Sequence, residues 1–308
     1  INEINGLNIF YRAYKLANYI DEEKIDVIHV SWTKDLFFSV LVKVFSNRQV
    51  KIIYHRQMKI TRYKKDFYHN FIYKNISIVL VITEGLLNDC KKYLPIKDDQ
   101  IIKLTYGISL PDNIKNFDKK SFFNGLKLKE NIFTIGVFSR IEEQKGQHLI
   151  IESLKILSDK NIQLVIVGHC MDSSYQNDLA KMIDSYGLSS KIAFTPFIES
   201  PMKIMPMLDL IILPTYEETF GLVVAESMLM GTPVIGSNAG GVPEIISDNY
   251  NGLLFESRNY KSLSKKILSI YESEDLRIKL SNNAKIFANE HYNYQKHFTK
   301  LTDIIQRL

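Results

Sequence analysis

The sequence predicts an α/β protein built from two doubly wound, parallel-sheet domains. Three observations predict it. Short Val- and Ile-rich runs recur along the chain, apolar on consecutive positions, as suits strands buried on both faces. Amphipathic stretches of helical period lie between them, and such alternation marks a parallel sheet. The length of 308 residues exceeds one ordinary domain and fits two of ~100–200 residues.

Taken in order, the expected strands of the first half are Val27–Val30, Lys51–Tyr54, Ile78–Ile82 and Ile101–Leu104. Those of the second half are Thr134–Phe138, Gln163–Val167, Lys191–Phe194, Leu210–Leu213, Pro233–Gly236 and Leu253–Phe255. Helical patterns fall at His148–Lys160, Tyr175–Tyr186, Phe220–Met230 and His291–Leu308. The polar run that opens with Pro111-Asp112-Asn113 breaks the alternation and reads as a boundary. The expected organisation is a first domain over 1–110, a linker over 111–131, a second domain over 132–290 and a C-terminal helix over 291–308 that packs back toward the first domain. Tyr106-Gly107-Ile108 closes the first domain and reads as a hinge. Four strands precede the boundary and six follow it, so the first domain is expected to be incomplete at its N-terminal side.

Apolar residues make up 45% of the chain and charged residues 24%, which excludes a disordered or fibrous polypeptide. The longest apolar runs are strand-sized, far from the ~18 residues of a membrane span. Cys90 and Cys170 sit in no metal-ligand spacing and read as free thiols in a reducing cytosol. The net charge of +5 is uneven: residues 1–110 hold 17 Lys and Arg against 11 Asp and Glu. The stretch 51–75 interleaves Arg56, Lys59, Arg62, Lys64, Lys65 and Lys74 with Tyr63, Phe67, Tyr68, Phe71 and Tyr73. That mixture suits a helix lying on anionic lipid, and equally a solvated amphipathic helix. Nothing resembles a nucleic-acid module.

Ligands of a parallel sheet bind beyond the carboxyl ends of its strands. After Thr134–Phe138 come Arg140 and Lys145, with a helix expected to begin near Lys145. Two cations beside a helix N-terminus suit a diphosphate, the guanidinium taking two oxygens and the ammonium acting as a point charge. A surface ion pair of Arg140 with Glu142 or Glu143 is the alternative. After Leu210–Leu213 come Glu218 and Glu226, eight positions apart, hence on one side of a helix. A carboxylate such as Glu226 can accept from both hydroxyls of a ribose, and Gly221 permits close backbone approach. A helix cap at Glu218 with a structurally satisfied Glu226 is the alternative. Gly240-Gly241, after Pro233–Gly236, offers backbone N–H groups to an anion or makes a plain turn. His55 ends an expected strand at the same edge, and His169 follows another at the turn Val167-Gly168.

Arg-x(4)-Lys-Gly, Glu-x(7)-Glu, Gly-Gly-x-x-Glu and Asn251-Gly252-Leu253-Leu254 occur in this order, and the set resembles the donor half of the retaining glycosyltransferase family four. The similarity runs from about Asp26 to the C-terminus and is strongest over 134–256. It implies the GT-B fold, with two Rossmann-like domains facing across a cleft. The resemblance assigns Arg140 and Lys145 to the donor diphosphate, Glu226 to the ribose and Glu218 to the sugar. The backbone of Thr219, Phe220, Gly221 and Leu222 is assigned to the sugar and phosphates, and His55 to the sugar from the opposite domain. Phe197 and Ile198 are assigned to the border of the nucleobase. Glu218, His55, Lys145 and Arg140 form the implied catalytic set. Ser139, Thr219 and Pro196 stand where the family often has Gly, and the family's first strand with its Gly-rich loop has no counterpart here.

The implied reaction moves a hexose-type sugar from a UDP- or GDP-sugar to a glycan or lipid-linked acceptor, with retention, in bacterial surface polysaccharide assembly. No metal or other cofactor is implied, and the chain lacks Asp-x-Asp. A cytoplasmic protein at the inner face of the membrane, touching anionic lipid through 51–75, is the implied setting. The alternatives are a non-catalytic partner subunit of the same fold and a sugar-nucleotide epimerase. A nicotinamide dehydrogenase would want Gly-x-Gly-x-x-Gly after a strand, and none occurs.

Overall fold

Each apolar run named above forms a strand in the computed structural model, which describes residues 8–112 and 118–308. The first sheet holds β1 (Val27–Val30), β2 (Lys51–Arg56), β3 (Ile78–Val81) and β4 (Ile101–Lys103), in the order β1-β2-β3-β4. All its pairings are parallel, with Ile53 opposite Ile78 and Val79 opposite Ile101. The second sheet holds β5 (Phe133–Phe138), β6 (Ile162–Val167), β7 (Ile192–Thr195), β8 (Leu210–Leu213), β9 (Val234–Ser237) and β10 (Leu253–Phe255). Its order is β10-β9-β8-β5-β6-β7, again parallel throughout. Every residue of β6 and β8 is buried, which is why these runs are apolar without alternation. The strand order reverses between β5 and β8, and a reversal of this kind opens a crevice at the carboxyl ends of the two strands. Arg140 follows β5, and Glu218 follows β8.

The helices of the first unit are α1 (Ile9–Glu22), α2 (Leu36–Phe45), α3 (Phe67–Lys74) and α4 (Glu84–Tyr93). Asp66 and Thr83 cap α3 and α4 by accepting from the N–H groups of His69 and Leu86. The second unit carries α5 (Lys119–Gly125), α6 (Gln147–Ile156), α7 (Ser173–Ser185), α8 (Leu222–Met230), α9 (Tyr260–Glu272) and α10 (Glu274–His291). Its core joins Ile135, Val137, Leu164, Ile166 and Ile212 of the sheet to Ile150, Leu154 and Ile267 of the helices. The chain divides into two compact units, residues 1–107 with 294–308, and residues 108–293. The terminal helix α11 (Tyr294–Gln306) thus belongs to the first unit, where Ile304 and Leu301 pack with Ile53, Leu80 and Leu104.

Three local expectations are corrected, and parts of two expected segments fall outside the described residues. Residues 113–117 of the expected linker lie outside the described residues, as do 1–7 of the first domain. Lys119–Gly125, inside the same linker, is helical: Asp118 caps it and Phe123 is fully buried. The stretch 51–75 is not one helix. It runs as β2, an irregular segment and the eight residues of α3. The final helical pattern begins at Tyr294, not His291, because Ile108 bridges to Asn293 and donates to the Tyr292 carbonyl, which interrupts the helix there.

Candidate donor site

The segment after β5 is tied down from below. Gln147, at the start of α6, is fully buried and donates from Nε2 to Ser139 Oγ at 2.9 Å and to the Arg140 carbonyl at 2.7 Å. Glu143–Lys145 forms one tight helical turn, and α6 starts two residues past Lys145. The Arg140 side chain is 58% exposed and its Nη2 lies 2.8 Å from Glu142 Oε1, so the surface ion pair left open by the sequence is formed. Lys145 is more enclosed, with Nζ 3.1 Å from Glu218 Oε2 and the two side chains 18% and 25% exposed. The first expected cation therefore faces solvent, while the second already joins the β5 and β8 loops.

The loop after β8 is held to the same place. Thr215 Oγ1 and the Tyr216 N–H both donate to the Gln144 carbonyl. Glu218 is not on a helix, contrary to the eight-residue spacing argument. Gly221 adopts φ 97°, and α8 begins only at Leu222. The Gly240-Gly241 pair explains how a non-helical Glu218 is fixed. Gly241 N–H donates to the Glu218 carbonyl at 2.7 Å, so it is occupied within the protein and not offered to an anion. Gly240 has φ 59°, and a Cβ there would stand 2.1 Å from the Glu218 carbonyl oxygen. The glycines are the floor of the Glu218 loop. Phe220 turns its ring into the core against Tyr292, leaving only its backbone to the site, whereas Leu222 is exposed.

Glu226 lies in the middle of α8, three positions after Val223 and so on the same helix face. Burial pushes its carboxylic acid up to about 7, and no described residue gives the carboxylate a hydrogen bond or an ion pair. It is not the satisfied structural group of the alternative reading. A cavity of about 280 Å³ adjoins this face, lined by Phe138, Arg140, Val167, Phe197, Ile198 and Val223 among others. Phe197 is well exposed, and His169 stacks parallel on it at 5.2 Å between centroids and 12° between planes. The structure thus brings Arg140, Phe197 and Ile198 to one pocket, with Glu226 one helical turn along from its Val223 wall. Val223 was not singled out from sequence, whereas His169 was placed at this edge, after the Val167-Gly168 turn, without a role.

His55 belongs to the first unit and lies inside β2, opposite Leu80, rather than at the strand's end. Its ring stacks on His29 at 5.6 Å and is tilted against Tyr106 at 6.4 Å. Its Nε2 is buried without a partner. Burial, with help from His29 and His297, pulls the imidazolium down to about 4, so His55 is neutral at ordinary pH.

Solved structures of similar shape are glycosyltransferases. One from Rickettsia africae superposes with a TM-score of 0.89 over 98% of this chain and 83% of its own, at 21% identity. Anabaena HepE, solved in complex with UDP, superposes with a TM-score of 0.84 over 96% of this chain and 82% of its own, at 20% identity. These likenesses show the GT-B fold. Among curated sequences, the capsular polysaccharide biosynthesis glycosyltransferase CapM of Staphylococcus aureus is 22% identical over 287 residues, 88% of this chain and 74% of CapM. Because the sequence model of the "Glycosyl transferases group 1" matches residues 117–287, more than half of the chain, the protein belongs to the group 1 glycosyltransferases.

Proposed function

We propose that this glycosyltransferase is a retaining, metal-independent hexosyltransferase that uses a UDP- or GDP-sugar. Its acceptor is a glycan or a lipid-linked glycan in bacterial surface polysaccharide assembly. The observation that carries the reading is Glu226: a half-buried carboxylate with no hydrogen-bond or ion-pair partner among the described residues, on the helix face that also walls an apolar pocket. A ribose diol is the neutral double donor that such a group accepts. The nucleobase then takes the pocket against Phe197, Ile198 and His169. Arg140 and Lys145 hold the diphosphate. Glu218 and the backbone from Thr219 to Leu222 meet the sugar. His55, kept neutral, is proposed as a further sugar contact. The UDP bound to HepE supports the nucleotide class, and the role of CapM supports the polysaccharide setting.

In the proposed reaction the bond from sugar C1 to the diphosphate oxygen breaks. A bond from C1 to the acceptor oxygen forms on the same face, and the leaving phosphate takes the acceptor proton. No protein nucleophile is required. Negative charge grows on the phosphate oxygens as the sugar becomes cationic. Arg140, Lys145 and the N-terminus of α8 stabilise that charge from fixed positions, which is where electrostatic catalysis is most effective.

Phe67, Tyr68 and Phe71 of α3 are exposed, Phe67 to 90%, beside the cations of the preceding irregular segment. We propose that this surface meets anionic lipid at the inner face of the membrane. Among the described residues no helix is long and apolar enough to cross a membrane.

The test is nucleoside diphosphate release from a panel of UDP- and GDP-sugars with glycan and lipid-linked acceptors, followed by NMR of the product's anomeric linkage. Lys145→Ala is expected to lower turnover by ~100-fold or more while leaving the circular dichroism spectrum unchanged. An inverted product, or near wild-type turnover in that variant, contradicts the proposal.

A further inference from the structure

Arg56 ends β2 and is buried, with 8% of its surface exposed. Its guanidinium donates from Nη1 to Thr33 Oγ1 at 2.6 Å and to Tyr54 Oη at 2.8 Å, and from Nη2 to the Lys59 carbonyl at 2.8 Å. All three acceptors are neutral, no described carboxylate lies within ion-pair distance, and its Nε–H is buried without an acceptor. Arg48, which also has a buried Nε, is by contrast paired with Asp26. A buried cation with only neutral partners is costly, and an anion removes the cost.

Two further observations point the same way. Thr33 Oγ1 and Tyr54 Oη are 2.7 Å apart and both accept from Arg56. One of their two hydroxyl protons links them, so the other is free to donate to a ligand oxygen. Thr33 is exposed, which gives the cluster a solvent-facing side. Arg62 and Lys64 then add charge on the loop after β2. Burial lowers the Lys64 ammonium from its usual range, and the charges of Arg56 and Arg62 lower it further. Arg56, at the end of β2, and Thr33, after β1, stand at the carboxyl edge of the first parallel sheet, the edge at which such sheets bind ligands.

We propose that Arg56, with Arg62 and Lys64, forms an anion site for a phosphate or diphosphate group. The hydroxyl pair of Thr33 and Tyr54 completes it as donor. The assignment of that anion to the acceptor rests on the transferase reading, whereas the site itself does not. The acceptor is then a phosphate-bearing molecule, and the group is carried either on a soluble glycan or at a lipid headgroup.

The experiment uses the full chain with Lys145→Ala, which weakens diphosphate binding in the second unit. Sodium pyrophosphate is titrated by calorimetry, and sedimentation with phosphatidylcholine vesicles is compared with and without dioleoylphosphatidic acid. Pyrophosphate binding identifies a site for a soluble phosphate, and binding only to phosphatidic acid identifies a headgroup site. In either arm Arg56→Gln is expected to weaken binding by ~10-fold or more, the loss of a charge-assisted hydrogen bond. The variant Arg62→Gln/Lys64→Gln, at one exposed and one half-buried position, is expected to weaken it several-fold. Failure of both probes, or equal binding by all variants, overturns the site. UDP binding by the chain with Lys145 intact is read separately. A chain that binds UDP but neither probe keeps the donor reading and loses this one.

Discussion

Burial holds the Glu226 carboxylic acid at about 7 against an ordinary 4.5, and the consequence is a stability slope of known sign. Between those values the unfolded chain has already lost its proton while the native chain keeps it. Native stability therefore falls as pH rises from 4.5 to 7, by an amount on the order of 2 kcal/mol. Glu226→Gln is expected to remove that fall, so that the variant matches the wild type in urea at about pH 4.5 and exceeds it at about pH 8. The same variant is expected to bind UDP more weakly, because a neutral amide is a poorer acceptor for a diol. His55 gives the opposite slope. The unfolded chain takes up a proton below 6.5, which the native chain refuses down to about 4, so stability is full above 6.5 and is lost toward 4. His55→Gln is expected to flatten the urea midpoint across that window. These groups were legible in the sequence as residue types at strand and helix positions. That Glu226 and the His55 Nε2 have no hydrogen-bond partner among the described residues was not, because it depends on which side chains the fold leaves beside them.

At the scale of elements, the strands were legible and the loops were not. A parallel strand buried on both faces writes its burial into consecutive apolar residues, as in Leu210–Leu213, so each apolar run became a strand. Loop geometry depends on contacts distant in sequence. Glu218 was expected on a helix because of its spacing from Glu226, but Gly221 in the left-handed region starts α8 later and Gly241 holds the Glu218 carbonyl instead. Gly240→Ala tests that account. Its Cβ would meet the Glu218 carbonyl oxygen in a backbone conformation that disfavours side chains. The substitution is expected to cost more than ~1 kcal/mol of stability. Turnover is expected to fall further than the thermal midpoint suggests, since the loop moves with Glu218 and Lys145. A change in stability with unchanged kcat/KM would contradict the floor role. Phe197→Ala removes the exposed face that stacks on His169 and is expected to raise the nucleotide dissociation constant by ~10-fold without affecting folding.

At the scale of the molecule, the two parallel sheets were legible as alternation. The return of the chain to its first unit through α11 was expected, but not from periodicity, because a helical pattern does not say which core its apolar face joins. Leu301 and Ile304 settle that by packing on β2, β3 and the residues around β4. The second unit holds the pocket, the Glu226 carboxylate without a partner among the described residues, and Arg140 and Lys145 at one sheet's carboxyl edge. Thermal unfolding in the presence of UDP, GDP and ADP reads out whether this edge binds a nucleoside diphosphate. A ligand held only by the native state raises the unfolding temperature in proportion to its affinity. The account predicts a rise with UDP or GDP that disappears in Lys145→Ala. The absence of a shift with all three nucleotides, or a shift that Lys145→Ala leaves intact, would contradict it.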